Sequence, residues 1–150
     1  MTDPFLLKNA DQAELAKVHD KAFQDKMRSD TGGQWYKEHL PLAMRNMKKV
    51  FDAGVPVVMG TDTGAPTGRF QGYFEHVELD YMVQAGLTPM QTLVASTSNV
   101  AKFLHASDLG TLEPGKWADL LVLNGNPLED IKNTRKIDSV YIGGNRVLDK

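Results

Sequence analysis

The sequence has 150 residues, of which 41% are hydrophobic and 24% charged; this is the composition of one ordinary globular domain and excludes a disordered or fibrous chain. Seventeen Lys and Arg against nineteen Asp and Glu give a formal net charge of -2, which excludes a strong general attraction to nucleic acid or an anionic membrane. The absence of cysteine excludes disulfides, thiolate zinc sites and cysteine nucleophiles, so any metal must be held by histidines and carboxylates.

Two helices are predicted in the first third of the chain. Apolar residues at helical spacing predict an amphipathic helix from Asp11 to Arg28, with Asn9 or Asp11 as its N-cap. Residues 29–33 contain helix breakers, and the pattern then resumes over residues 34–53. Gly54 stands at the usual C-cap place, and Pro41 is expected to bend this second helix or to mark its start.

A short apolar segment follows the second helix. Val55–Met59 is rich in β-branched residues and too brief for a helix, which favours a buried parallel strand. Residues 62–72 contain four Gly or Pro among eleven, so they are predicted to form a loop leaving the carboxyl end of that strand. Ligands of α/β folds bind at such loops.

Helices and then strands are predicted for the rest of the chain. Residues 73–85 have helical spacing, and Thr88 and Pro89 form the N-cap and N1 positions of a helix that runs to about residue 97. One more helical turn is predicted over residues 99–104. Beyond a boundary near residue 106, residues 119–123 and 139–142 read as strands, separated by a short helical segment over residues 128–133.

Six strings, in this order and at this spacing, resemble the C-terminal part of the amidohydrolase superfamily, in the branch of imidazolonepropionase-like and prolidase-like enzymes. They are Gly54–Gly64 (GVPVVMGTDTG), Tyr73–Asp80 (YFEHVELD), Ala85–Leu93 (AGLTPMQTL), Leu109–Lys116 (LGTLEPGK), Ala118–Leu123 (ADLLVL) and Asn126–Ile131 (NPLEDI). The resemblance covers roughly residues 40–150.

The resemblance implies an α/β fold, namely the C-terminal portion of a (β/α)8 barrel followed by strands of a small β composite domain. Residues 1–105 would belong to the barrel, with its last strand at about residues 55–60, and residues 106–150 to the composite domain. Asp62 would be both a metal ligand and the catalytic residue of this segment. It would accept a proton from the water that attacks an amide or imide carbonyl and pass that proton to the leaving nitrogen. The metal, Zn²⁺ or a similar divalent ion, lowers the pKa of water to about 7.

The histidines depart from the family pattern. The family also uses a His-x-His pair on the first strand, often a bridging lysine, and histidines on the fifth and sixth strands. This sequence has only His19, His39, His76 and His105, none paired at ligand spacing. A catalytic zinc takes three or more protein ligands, so the chain is expected to be an incomplete fragment of a hydrolase that acts on C–N bonds of amides, cyclic amides or dipeptides.

Three further residues are candidates for binding the substrate. Glu75 and His76 lie in a string typical of one branch of the family, directly after the catalytic loop, although a solvated first helical turn would also favour a glutamate. Arg69 could bind a substrate carboxylate through its guanidinium fork, although an exposed loop arginine needs no function. For Asp62 itself the alternative to catalysis is an Asx-turn in a Gly-rich loop.

Two other functions are compatible with the sequence. Asp62-Thr63-Gly64 after an apolar strand resembles aspartic proteases of the retroviral type, in which two carboxylates share a proton without metal; the predicted helices argue against it. The second alternative is a non-catalytic structural or interaction module from a truncated barrel, whose exposed edges would favour homo-oligomers. With no run of the roughly 18 apolar residues that span a membrane and no signal peptide, a soluble chain is expected, cytoplasmic by default. We expect a small amide or peptide-like substrate as its partner.

Overall fold

The structure, a computed structural model, describes residues 2–64 and 68–147. Four helices occupy the first third of the chain: α1 (Pro4–Asn9), α2 (Gln12–His19), α3 (Lys21–Ser29) and α4 (Thr31–Asp52). Each begins directly after an aspartate whose carboxylate accepts hydrogen bonds from backbone N–H groups of the first turn. These caps satisfy donors that a helix cannot pair internally.

The same capping chemistry corrects two sequence predictions. The single helix predicted from Asp11 to Arg28 is two helices, because Asp20 has extended backbone and its carboxylate accepts a hydrogen bond from the backbone N–H of Phe23 at 2.9 Å. A side chain that bonds the backbone locally competes with continuation of the helix. The second helix begins at Thr31 and not near residue 34, since Asp30 caps it, and it runs through Pro41.

Three helices follow the loop: α5 (Phe74–Gln84), α6 (Pro89–Ser96) and α7 (Ser98–Phe103). The predicted start of α6 is confirmed in atomic detail. The hydroxyl oxygen of Thr88 accepts from the backbone N–H of Gln91 at 3.2 Å, and the side-chain oxygen of Gln91 accepts from the backbone N–H of Thr88 at 2.9 Å. This reciprocal capping box, with Pro89 at the first helical position, fixes where α6 begins.

Residues 55–60 lie between α4 and the loop in irregular conformation. No β-ladder includes them in the part of the chain that the structure describes, so the predicted strand stays a prediction. Two hydrogen bonds tie the segment to helices instead: Met59 N–H to the carbonyl of Ala95 at 3.1 Å, and the Asn99 side-chain amide to the carbonyl of Val57 at 3.1 Å. Val57 and Met59 also pack against a cluster of buried residues, whereas Val55 is exposed.

The C-terminal part forms a three-stranded antiparallel sheet in the order β1 (Leu120–Leu123), β2 (Ile137–Ile142) and β3 (Asn145–Arg146). The two predicted strands are confirmed, and β3 is an addition that sequence reasoning missed. Gly143 and Gly144 connect β2 to β3 with φ of 56° and 79°, as a two-residue hairpin turn with a left-handed centre requires. A short 3-10 helix (Ile131–Arg135) precedes β2 and packs against α5.

Two separate hydrophobic clusters lie inside the helical part. The first comprises Leu6, Leu15, Val18 and Phe70. The second comprises Met82, Leu87 and Ala95, with partly buried residues of α4 and of residues 57–59 against it. Within residues 2–64 and 68–147, no helix is long and apolar enough to cross a lipid bilayer. The helical part and the sheet meet mainly where the 3-10 helix packs on α5; the division near residue 106 stays a prediction.

Candidate functional site

Asp62 lies in an unusual backbone conformation at the start of the loop. Its φ is 53°, in the left-handed region that few residues other than glycine adopt, although aspartate tolerates it better than most. Its side chain is 77% exposed, and one carboxylate oxygen accepts a hydrogen bond from Nη1 of Arg69 at 2.9 Å. The structure therefore brings the predicted catalytic residue and one predicted substrate-binding residue into an exposed ion pair.

Glu75, in the first turn of α5, is directed back at the residues flanking Asp62. Its Oε1 accepts hydrogen bonds from the hydroxyls of Thr63 at 2.7 Å and Thr61 at 3.2 Å, and its Oε2 accepts from the backbone N–H of Gly72 at 2.7 Å. Burial raises the pKa of this carboxyl, but the hydrogen bonds from Thr63, from the backbone and from Thr61 outweigh it, so the pKa lies below its ordinary value. Glu75 is thus an ionised acceptor for both ends of the loop.

His76, the next residue, is directed away from Asp62 toward the 3-10 helix. The residue is buried, with 8% of its surface exposed, and its Nδ1 lies 2.9 Å from the hydroxyl oxygen of Thr134. That hydroxyl donates to the carbonyl of Ile131 at 2.9 Å, so its oxygen accepts from His76, which fixes the proton on Nδ1 in the neutral ring. Burial, and then the nearby Arg135 cation, lower the pKa of His76.

A largely buried ion pair beside His76 was missed by sequence reasoning. Nη2 of Arg135 lies 2.7 Å from Oδ2 of Asp80, and the two side chains are 14% and 16% exposed. Oδ1 of Asp80 and Nε of Arg135 are buried without a hydrogen-bond partner among the described residues. Asp80 lies one helical turn after His76 on α5, and Arg135 directly follows Thr134 on the 3-10 helix, so the ion pair and the His76–Thr134 hydrogen bond join the same two elements. The two contacts form a polar junction between the helical part and the sheet.

The donors that the structure describes do not fit a metal centre. No three His, Asp or Glu side chains come together anywhere in residues 2–64 and 68–147, and the carboxylate of Asp62 is engaged by Arg69. His39 stacks on Trp35 with ring centroids 4.0 Å apart, far along the chain from the loop. A zinc ion needs three or more protein ligands, so Asp62 as a metal ligand stays a prediction.

Comparison with known proteins identifies relatives over most of the chain. The model of the amidohydrolase family matches residues 14–147. Imidazolonepropionase of Deinococcus deserti is 34% identical over 113 residues, which are 73% of this chain and 28% of that protein. Ochratoxinase of Aspergillus niger is 36% identical over 100 residues, 61% of this chain and 19% of that protein.

The solved structures give the same result. A Xaa-Pro dipeptidase with bound methionine in the active site superposes with a TM-score of 0.60 at 34% identity, over 71% of this chain and 25% of that one. The chain thus spans under a third of the length of each of these three proteins. The family match and the seven helices among the described residues exclude the retroviral-type protease alternative, because such proteases consist almost entirely of strands. The fold is the C-terminal portion of an α/β barrel with a small sheet after it, and the chain belongs to the amidohydrolase family.

Proposed function

We propose that this chain is part of a metal-dependent hydrolase of C–N bonds, and that Asp62 is the catalytic residue it contributes. The proposal rests on the position and conformation of Asp62 in a chain of this family. Asp62 follows residues 55–60, its side chain is exposed, and its backbone has a left-handed conformation. Strained backbone of this kind is concentrated at functional sites. An exposed carboxylate can accept a proton from an attacking water and return it to a leaving nitrogen.

We infer further that the centre is completed by residues outside this chain. The described donors form no metal site, and the matched residues make up less than a third of each relative. Large apolar side chains are exposed on the helices, on the sheet and in the segment between them, among them Trp35, Phe103, Trp117 and Ile142. Exposed apolar surface of this extent usually marks contact with another body of protein. The Xaa-Pro dipeptidase among the relatives supports a dipeptide or small amide as the substrate class.

A chimera tests the proposal. The matching 113 residues of the Deinococcus deserti imidazolonepropionase would be replaced by the corresponding residues of this chain, and hydrolysis of amides, cyclic amides and dipeptides would be measured. We expect activity that chelator removes and that Asp62→Asn lowers by about 10²–10⁴-fold. Asp52→Asn, which removes an exposed carboxylate at the end of α4, should leave activity unchanged. Full activity in the Asp62→Asn chimera would refute the role of Asp62.

A second candidate is a non-catalytic structural or interaction module, favoured by the exposed apolar side chains and by the lack of a ligand cluster in the described residues. It predicts that the isolated chain associates with itself or with a longer polypeptide. Size-exclusion chromatography with light scattering distinguishes the cases: a monodisperse monomer that hydrolyses amides in a chelator-sensitive way would exclude the module. Under the hydrolase function, Glu75, His76 and Arg69 remain predictions as substrate-binding residues.

A further inference from the structure

We propose that Glu75 is a positioning residue for Asp62, holding the two threonines on either side of it so that the carboxylate keeps one direction. This inference rests on the proposed function of Asp62. One carboxylate oxygen of Glu75 accepts hydrogen bonds from the hydroxyls of Thr63 at 2.7 Å and Thr61 at 3.2 Å. Asp62 is the residue between these two anchors.

The feature that Glu75 would stabilise is the backbone conformation of Asp62. With φ of 53°, its Cβ crowds its own backbone, and such a conformation persists only where the surroundings impose it. Its own carboxylate contributes little constraint, because its partner Arg69 is 45% exposed and the pair is open to solvent. Thr61 and Thr63 instead donate hydrogen bonds to Glu75 in the first turn of α5.

Glu75 also closes the loop. Its second oxygen accepts from the backbone N–H of Gly72 at 2.7 Å, so one side chain joins Thr61 and Thr63, at the start of the loop, to Gly72, its last residue. A backbone hydrogen bond from Gly64 N–H to the carbonyl of Arg69 at 3.2 Å draws the loop together between those points.

Both oxygens of Glu75 are therefore occupied by donors of this chain. A carboxylate with three internal donors has little capacity left for a substrate, which distinguishes positioning from the direct substrate contact predicted from the sequence. A positioning role for Glu75 also explains the sequence Thr61-Asp62-Thr63. Each threonine hydroxyl donates a hydrogen bond to Glu75, and the side chain of Asp62 between them is left exposed.

The test is the backbone conformation of Asp62, measured by NMR in the 150-residue chain. A residue with positive φ has a short distance between its amide and α protons and shows a strong intra-residue NOE between them. We expect this NOE in the wild-type chain and its loss in Glu75→Gln, because an amide has only one acceptor oxygen and cannot serve the hydroxyls and the Gly72 N–H together. Thr63→Val, which keeps the shape and removes the hydroxyl, should also lose it.

Two controls make the test specific. Thr63→Ser keeps the hydroxyl and should retain the NOE, and Glu38→Gln removes one negative charge from an exposed position on α4 and should retain it as well. A strong NOE in both Glu75→Gln and Thr63→Val, its loss in either control, or its absence from the wild-type chain would overturn the proposal. Because the readout does not require hydrolysis, an inactive chimera would count against the proposed function and leave this measurement intact.

Discussion

Two short apolar segments of this chain, residues 55–60 and residues 120–123, differ in whether they pair in a sheet. Residues 120–123 pair with β2 along their length, whereas residues 55–60 have no ladder within the described chain. Both segments are short and apolar, but residues 55–60 also contain Pro56 and Gly60, which weaken strand pairing, whereas residues 120–123 contain neither. The strand β1 finds its partner fewer than twenty residues later, through a compact antiparallel connection. A parallel barrel strand needs neighbours that arrive by longer crossovers, and no described residues supply them.

The comparison extends to the side chains around each segment. Beside the sheet, His76, Asp80, Thr134 and Arg135 form a buried polar junction in which each group has at least one partner. Beside residues 55–60, Asp62 and Arg69 form an ion pair that is largely exposed. The first arrangement has its ion-pair and hydrogen-bond partners inside this chain, although Oδ1 of Asp80 and Nε of Arg135 lack hydrogen-bond partners among the described residues. The second is open to solvent and should contribute little to the stability of the isolated chain.

The largest effect is expected at the polar junction. Arg135→Met removes the cation beside Asp80 and leaves a carboxylate that is 16% exposed without its partner, which should lower the free energy of unfolding by about 3 kcal/mol. Lys21→Met is the matched control, because Lys21 forms an ion pair with Asp25 while 87% exposed, and should cost less than about 1 kcal/mol. Urea unfolding measures both; equal losses would contradict the difference between buried and exposed pairs.

Proline substitutions test the two apolar segments directly. Ser139 lies in the central strand, opposite Val122, so Ser139→Pro removes a donor from the ladder and should cost about 1–3 kcal/mol. The backbone N–H of Val58 has no partner within residues 2–64 and 68–147, so Val58→Pro should change the stability of this chain by no more than about 0.5 kcal/mol. In the chimera, where barrel neighbours are present, Val58→Pro should become destabilising. A large cost in the isolated chain would show that residues 55–60 are already paired there.

The polar junction should also make the stability depend on pH. The folded pKa of His76 is lowered by burial and then by Arg135, so the folded chain binds the proton less well than the unfolded chain. The stabilisation is therefore complete above about pH 6.5, the ordinary histidine value, and is lost as the pH falls below it toward the folded pKa. Urea midpoints measured between pH 7.5 and 5.5 would follow this loss.

The control for this pH dependence is His76→Asn, which keeps a donor toward Thr134 without a titrating ring. Two nearby carboxyls act in a lower range: the lowered pKa of Glu75 removes stability on acidification below its ordinary value, and the pKa of Glu78, raised by burial, opposes it. Both are present in wild type and variant, so they cancel in the difference. If the His76→Asn chain lost stability over the same interval as wild type, another group would be responsible.

Local features of the fold could be predicted from the sequence because their causes are local. Thr88 and Pro89 predicted the start of α6 correctly, and the structure adds Gln91 as the partner of Thr88 in a capping box. The same kind of signal was available at Asp20, where an aspartate inside a helical pattern ends one helix and begins the next. Hydrophobic spacing alone predicted one continuous helix through Asp20. Asp62 was found because it stands in a recognisable string, and the structure adds its left-handed backbone.

Contacts between distant residues could not be predicted in this way. His76 and Thr134 are 58 positions apart, and Asp80 and Arg135 are 55 apart; neither pair has a spacing that sequence reasoning can use. Glu75 was singled out for its place after the loop, but its direction, back toward Thr61 and Thr63, depends on how α5 is set against residues 55–60. Tertiary packing determines that arrangement, and packing was not visible in a single sequence.

The smallest effect is expected at the exposed ion pair. Arg69→Ala removes the partner of a carboxylate that is 77% exposed and should change the free energy of unfolding by only about 0.2–1 kcal/mol. Because water and ions can replace the guanidinium, the difference from wild type should shrink further in 1 M salt, where charges are screened within about 3 Å. Arg69→Lys, which keeps the charge, should be closer to wild type than Arg69→Ala at low salt. A loss of unfolding free energy comparable to that of Arg135→Met would mean that the Asp62–Arg69 pair stabilises this chain as much as the polar junction does. The proposed difference between the two regions would then be wrong.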